Sequence, residues 1–148
     1  MLFRALIAFV ALPGVVAILV PVVWLWLTSH SDLVHPLGLV PVAVGFAALL
    51  WCVCEFYLSG KGTLAPWAPP IRLVETGLYR YSRNPMYVAV TLTLLGWAAA
   101  FGSWSLLIYA LVVAVAFHLR VVLGEEPWLS RTHGSQWEQY KSRVPRWL

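Results

Sequence analysis

Two short polar segments of the chain carry residue types able to do chemistry. The first, Gly77-Leu78-Tyr79-Arg80-Tyr81-Ser82-Arg83-Asn84-Pro85-Met86-Tyr87, ends in a helix start, because Asn84 is a favoured N-cap and Pro85 a favoured first helical residue. Free backbone N–H groups at that terminus, with the helix dipole and Arg80 and Arg83 alongside, suit an anionic group on a ligand. The plainer reading of the arginines is that they set membrane topology or touch lipid headgroups. The second segment, Arg120-Val-Val-Leu-Gly-Glu125-Glu126-Pro127, places two carboxylates side by side. Adjacent acids repel each other, so they call for a cation; the plainer alternative is that glutamates favour a helix N-terminus. Brought together, the segments would offer anion-binding N–H groups and arginines, carboxylates that accept an ammonium, and tyrosines that stack on an adenine or face a sulfonium. Those are the requirements of a zwitterionic, cationic nucleoside cofactor.

The elements that must position these residues are apolar. Of 148 residues, 61% are hydrophobic and 11% charged, against about 45–50% and about 25% in soluble domains. So small a soluble fold has too little interior for that much apolar surface, and disordered, collagen-like and disulfide-scaffold classes are excluded as well. The net charge is +4, and every charged residue except Arg4, Asp32 and Glu55 falls within 59–85 or 120–148. Between them, 84–119 carries no charge at all.

The uncharged runs 5–31, 33–54 and 84–119 predict the spans. The first two are each right for one membrane helix of about 20 residues. The third suits two short helices turned at Gly102-Ser103, with Ser103 capping the second. The fold expected is therefore an all-α, polytopic membrane bundle of about four transmembrane helices. It is read as one domain over 1–148: two N-terminal spans in 1–58, a cytosolic loop 59–85, a helical hairpin 86–123 and a cytosolic helical tail 124–148. Pro13 and Pro21 mark the first span as a kinked, uncleaved anchor rather than a signal peptide. The basic loop and tail put both termini in the cytoplasm, with Trp24, Trp26 and Trp104 at the outer interface and Trp51 at the inner one. Extended by Pro66, Pro69 and Pro70, the cytosolic loop reads as a lid over the cofactor.

In the tail, Pro127 opens a helix, His133-Gly134 ends it, and Ser135-Gln136-Trp137-Glu138 has the form of a capping box opening another. Trp137, Tyr140 and Val144 form an apolar stripe. Cys52 and Cys54 point to different faces of one helix and read as packing residues. His118 reads as hydrogen-bonded or substrate-lining, Glu55 as reaching the interface, and His30 and His35 as loop residues. Gly60-Lys61-Gly62 lacks the spacing of a phosphate loop. No metal site is expected.

GLYRYSRNPMY, then R-x4-EEP-x2-L, then HG-x2-W-x2-Y-x3-VPRW, in that order, resembles the isoprenylcysteine carboxyl methyltransferase and phospholipid N-methyltransferase superfamily of integral membrane enzymes. The likeness runs over roughly 60–147. It implies S-adenosylmethionine held on the cytoplasmic side and a lipid-like or prenylated acceptor arriving from the bilayer. By position, Ile71, Arg72, Leu73, Val74, Tyr79, Asn84, Pro85, Met86 and Tyr87 match the family's cofactor contacts. Arg120 and Glu125 match its substrate-side or catalytic pair, and Glu126 is the second acid of its EE motif, here assigned to the cofactor. Asn84 departs from the isoprenylcysteine enzymes, which have a histidine there, so no titratable ring is available at that position. The spacing of the arginine to the acids also differs by one position between subfamilies.

Methyl transfer from a sulfonium is an in-line displacement, and the protein's task is alignment and exclusion of water. Arg120 would meet an anionic group of the acceptor. Glu125 would meet the cofactor's ammonium or orient the acceptor, and either acid could take a proton from an ammonium acceptor. Tyr79 and Tyr87 would pack around the cofactor. The partners expected are the acceptor and membrane lipids, with no nucleic acid; acceptor identity and oligomeric state are left open. Two rival classes share this composition, a small four-helix transporter and a non-enzymatic membrane subunit. The first needs a carboxylate deep in a span, but Glu55, Glu125 and Glu126 all fall at span ends.

Overall fold

The computed structural model describes residues 10–28, 32–59 and 72–148. The expectations for Arg4, His30, Gly60-Lys61-Gly62, Pro66, Pro69, Pro70 and Ile71 lie outside these residues. Among the described residues there is no strand. Helix α1 is wound as a π-helix over Val10–Leu19 and as an α-helix over Val20–Leu27. A 3-10 turn, Pro36–Gly38, leads into α2, Leu39–Leu58. A second 3-10 turn, Gly77–Arg80, precedes α3, Pro85–Phe101, and α4 is Trp104–Arg120. A π turn, Val121–Glu125, joins α4 to α5, Glu126–Arg143.

The hairpin forms where the small polar pair predicts it. Gly102 takes the left-handed conformation (φ 60°) at the end of α3, and the Ser103 hydroxyl accepts the Leu106 N–H at 3.4 Å. Gly134 (φ 49°, ψ −120°) breaks α5 at the expected place. Two expected caps are corrected. Asn84 stands at the N-cap of α3, but its side chain makes no cap bond; its Nδ2 instead donates to Arg146 O at 3.0 Å. The Ser135 capping box does not form: Glu138 turns forward to Lys141 at 3.6 Å.

Packing is closest between α2 and α3, then between α3 and α4. Small residues allow it, as in membrane helix pairs: a Cβ on Gly45 would lie 2.7 Å from the Ala89 carbonyl, and one on Gly96 would lie 2.7 Å from Val42. The core cluster joins all four helices through Ala17, Leu49, Ala89, Val90, Leu94 and Ala110. Cys52 is buried and Cys54 exposed, as their opposed faces require. The outward surface is apolar, with Trp26, Leu27, Ile108 and Val112 all exposed. Two helices, Pro36–Leu58 and Trp104–Arg143, are long and apolar enough to cross a membrane; Pro13–Leu27 and Pro85–Phe101 are apolar but shorter.

Proline explains one polar detail of this core. Pro21 has no N–H, so the carbonyls one turn earlier in α1 lose their donor. Those carbonyls are recovered by side chains from the hairpin: Trp97 Nε1 donates to Ala17 O at 3.0 Å, and the Tyr109 hydroxyl donates to Val16 O at 3.3 Å. An apolar interior cannot leave such groups unmade without cost. Trp97→Phe is therefore expected to destabilise the protein by about 1–3 kcal/mol, read as thermal unfolding in detergent. The cost shrinks when Pro21→Ala restores a helical donor, so the two substitutions are non-additive.

Candidate active site

Because α3 and α4 are antiparallel neighbours, the start of α3 and the end of α4 lie together. Arg120 and Glu125 are five residues apart, which on an α-helix puts them about 140° apart around the axis. The π turn changes this, since its repeat is i to i+5. Arg120 Nε then meets Glu125 Oε1 at 2.8 Å. From α3, the Tyr87 hydroxyl donates to the same carboxylate oxygen and accepts from Arg120 Nε at 3.1 Å. The Tyr87 ring is fixed by stacking on Phe117, with centroids 4.3 Å apart. The arginine side chain is 57% exposed and the carboxylate 34%, so this triad is open. Among the described residues only the Nε of Arg120 is engaged.

Glu126 points elsewhere. It receives Arg146 Nε at 2.8 Å and Nη2 at 2.9 Å in a two-pronged pair, with Arg83 Nη1 at 2.9 Å. The Arg83 guanidinium lies over the Trp137 ring at 5.3 Å. Asn84 Nδ2 donates to Arg146 O at 3.0 Å, and Arg83 N donates to Pro145 O at 2.9 Å. This clasp binds Pro145 and Arg146 to the start of α3. It is closed, with the Arg83 and Glu126 side chains only 8% and 13% exposed.

The remaining expected cofactor residues divide between core and cavity. Tyr79 and Val74 are buried beside Cys52, the Tyr79 ring stands edge-on to Phe56 at 5.3 Å, and Tyr79 O accepts the Tyr140 hydroxyl at 2.7 Å. Pro85 is buried, and Met86 packs against two core clusters. Arg72 and Leu73 line a polar cavity of about 520 Å³ with Glu75, Thr76, His133 and Gln136. The His133 Nε2 is buried without a partner among the described residues. An apolar groove of about 530 Å³ runs between α3 and α4, walled by Leu92, Leu95, Leu111 and Val115 and ending at Tyr87, His118 and Trp147.

Sequence reasoning missed the holding role of Glu55 and Arg146 and the cavity residues His133 and Gln136. Glu55, at the end of α2, accepts from Thr76 Oγ1 at 2.6 Å, Ser59 Oγ at 3.1 Å and Trp51 Nε1 at 3.3 Å, and so anchors the segment entering α3. Gly77 (φ 59°) is required beside it, because a Cβ there would lie 2.6 Å from the carboxylate. The signals available were Glu55 at a span end and the VPRW motif.

Burial works against a charge on Glu126, but the bonds from Arg146 and the field of Arg83 outweigh it and hold its carboxyl below the ordinary value of 4.5. A lowered folded value means that the clasp contributes its full stability above the unfolded value and loses it as pH falls through the folded one. Thermal unfolding in detergent is thus expected to be level near neutrality and to weaken below about pH 4.5. Glu126→Gln, which strands Arg83, is expected to cost about 3 kcal/mol at neutral pH and to remove this part of the acid dependence.

Residues 34–136 match the family model described as phospholipid methyltransferase. A stretch of 74 residues is 36% identical to the protein-S-isoprenylcysteine O-methyltransferase of Schizosaccharomyces pombe (strain 972 / ATCC 24843). That alignment covers 49% of this chain and 31% of the yeast protein, so the chain spans about a third of that relative's length. No solved structure matches the chain. The family model agrees with the resemblance carried by the three ordered motifs. With well over half of its residues matched, the chain belongs to the phospholipid methyltransferase family.

Proposed function

We propose that this membrane protein transfers a methyl group from S-adenosylmethionine to a lipid-like or prenylated acceptor at the cytoplasmic face. The carrying observation is the open Arg120–Glu125–Tyr87 triad at the end of an apolar groove. In this reading the four apolar helices are the spans of a single membrane domain, and the basic end that carries the triad and α5 faces the cytoplasm with both termini. The yeast relative acts, by its name, on isoprenylcysteine, and a groove lined by Leu92, Leu95, Leu111 and Val115 suits such a chain.

The residues present fit the cofactor. The polar cavity supplies a guanidinium, a carboxylate, a hydroxyl, an amide and the His133 Nε2, which has no partner among the described residues, matching the mixed donors and acceptors of a nucleoside. Glu125, half-buried and next to aromatic rings, suits a cationic centre. When bound, the sulfonium supplies an electrophilic methyl group. Arg120 has its Nε bound to Glu125 and Tyr87, and the rest of its guanidinium, unengaged among the described residues, binds an anionic group on the acceptor. Glu125 orients the acceptor, or removes its proton if the acceptor is an ammonium. Tyr87 fixes the carboxylate, and the apolar groove walls shield the side of the reacting atoms that faces them. Arg72, Leu73, Val74 and Tyr79 serve the cofactor through the cavity and the backbone that frames it. In this reading Asn84, Pro85, Met86 and Glu126 support the site by holding the start of α3.

Calorimetric titration of S-adenosylhomocysteine into the protein in detergent tests this reading. The native chain is expected to bind, and Glu125→Ala and Tyr87→Ala to bind at least about ten-fold more weakly. No binding by the native chain would overturn the methyl donor. Unchanged binding by both variants would overturn the site while leaving family membership intact.

A further inference from the structure

The apolar groove ends on Trp147, a residue remote in sequence from both helices that form it. Its indole lies against His118, with ring centroids 6.0 Å apart at 30°. Nothing in the proposed chemistry requires it. Yet the chain just before it is held by polar bonds to the start of α3 and to Glu126. Pro145 O accepts Arg83 N at 2.9 Å, while Arg146 O accepts Asn84 Nδ2 at 3.0 Å and Ser82 Oγ at 3.4 Å. The Arg146 guanidinium is paired on two prongs with Glu126.

A partly buried ion pair is a modest source of stability, because desolvation offsets much of the attraction, but a two-pronged one fixes geometry well. Here the geometry being fixed is the position of residue 146, and hence of the next side chain. Four rings, Tyr87, Phe117, His118 and Trp147, consequently line the groove end beside Arg120 and Glu125. Rings with one apolar face and one edge toward polar groups suit the point where an apolar chain meets its head. From Tyr87 to Leu95 the groove wall extends about 12 Å at 1.5 Å per helical residue, enough to hold the part of a chain nearest its head.

We propose that Trp147 selects the acceptor. It closes the groove end and grips the first apolar segment of the acceptor, so that the head falls at Arg120 and Glu125; Arg146 is its positioning residue. This rests on the methyltransferase reading for the identity of the groove's occupant. No covalent step is added.

The test uses a photoreactive diazirine analogue of S-farnesylcysteine, irradiated with the full chain in lipid nanodiscs and mapped by mass spectrometry. S-adenosylhomocysteine affinity is measured in parallel by calorimetry. Labelling is expected in 111–120 and 144–148. Trp147→Ala raises the half-saturating probe concentration about ten-fold, Trp147→Phe stays within about three-fold of native, and Arg146→Gln moves in the same direction as the alanine. S-adenosylhomocysteine affinity stays native in Trp147→Ala, which separates lost recognition from lost folding. Equal half-saturation for native and Trp147→Ala, or labelling on another face, overturns the proposal. Trp147-dependent groove labelling in a protein that binds no S-adenosylhomocysteine supports the groove assignment and overturns the methyl-donor reading instead.

Discussion

Two neighbouring carboxylates at the end of an apolar helix must be kept apart, and the way this is done organises the active end of the molecule. Like charges on Glu125 and Glu126 beside low-dielectric surroundings are tolerable only if each has its own cation. The π turn directs Glu125 to Arg120 and Tyr87, while Glu126 turns to Arg83 and Arg146. One acid thereby stays open at the mouth of a groove. The other becomes the partly buried centre of a clasp that ties Pro145 and Arg146 to the start of α3. An α-helical continuation of α4 would have placed Arg120 and Glu125 on different faces and dissolved the triad.

The apolar helices supply what this arrangement needs, a rigid hairpin with its charges at one end. The α2–α3 contact is set by glycines that admit no side chain, and α1 is tied to the hairpin by hydrogen bonds from Trp97 and Tyr109. Glu55 reaches from α2 to Thr76 and Ser59 and so sets the approach of the chain to α3. The cap helix α5 is attached through Trp137, Tyr140 and Val144, which pack with Leu73, and through Arg143 on Glu75 at 3.0 Å. Each device places a polar element against an apolar one without leaving a charge inside the bundle. Under the proposed function, an alkyl-bearing acceptor and a polar nucleoside would then meet at one boundary, which is the physical reason for placing such chemistry on membrane helices.

Much of this was legible in the sequence because charge is so scarce. Uncharged runs located the four apolar helices, Gly102-Ser103 located the hairpin, and the hairpin alone required Tyr87 and Glu125 to lie near each other. Spacing also gave the Trp137, Tyr140 and Val144 stripe. Other features were hidden for definite reasons. Asn84 reads as a helix cap by residue type, but a tertiary acceptor, Arg146 O, wins its amide. Nothing local distinguishes Glu126 from Glu125, since their different partners depend on a π turn that sequence propensity does not signal. Tyr79 reads as a ligand-facing tyrosine, whereas the surrounding Phe56, Cys52 and Val74 draw its ring into the core.

The most direct test of the account is transfer of a labelled methyl group. The protein in nanodiscs is incubated with methyl-tritiated S-adenosylmethionine and N-acetyl-S-farnesylcysteine or a membrane lipid extract, and organic-phase label is counted for native, Glu125→Ala and Arg120→Ala chains. The account predicts label in the organic phase with the native chain and a fall of about a hundred-fold or more in each variant. Transfer that proceeds undiminished in both variants would contradict it.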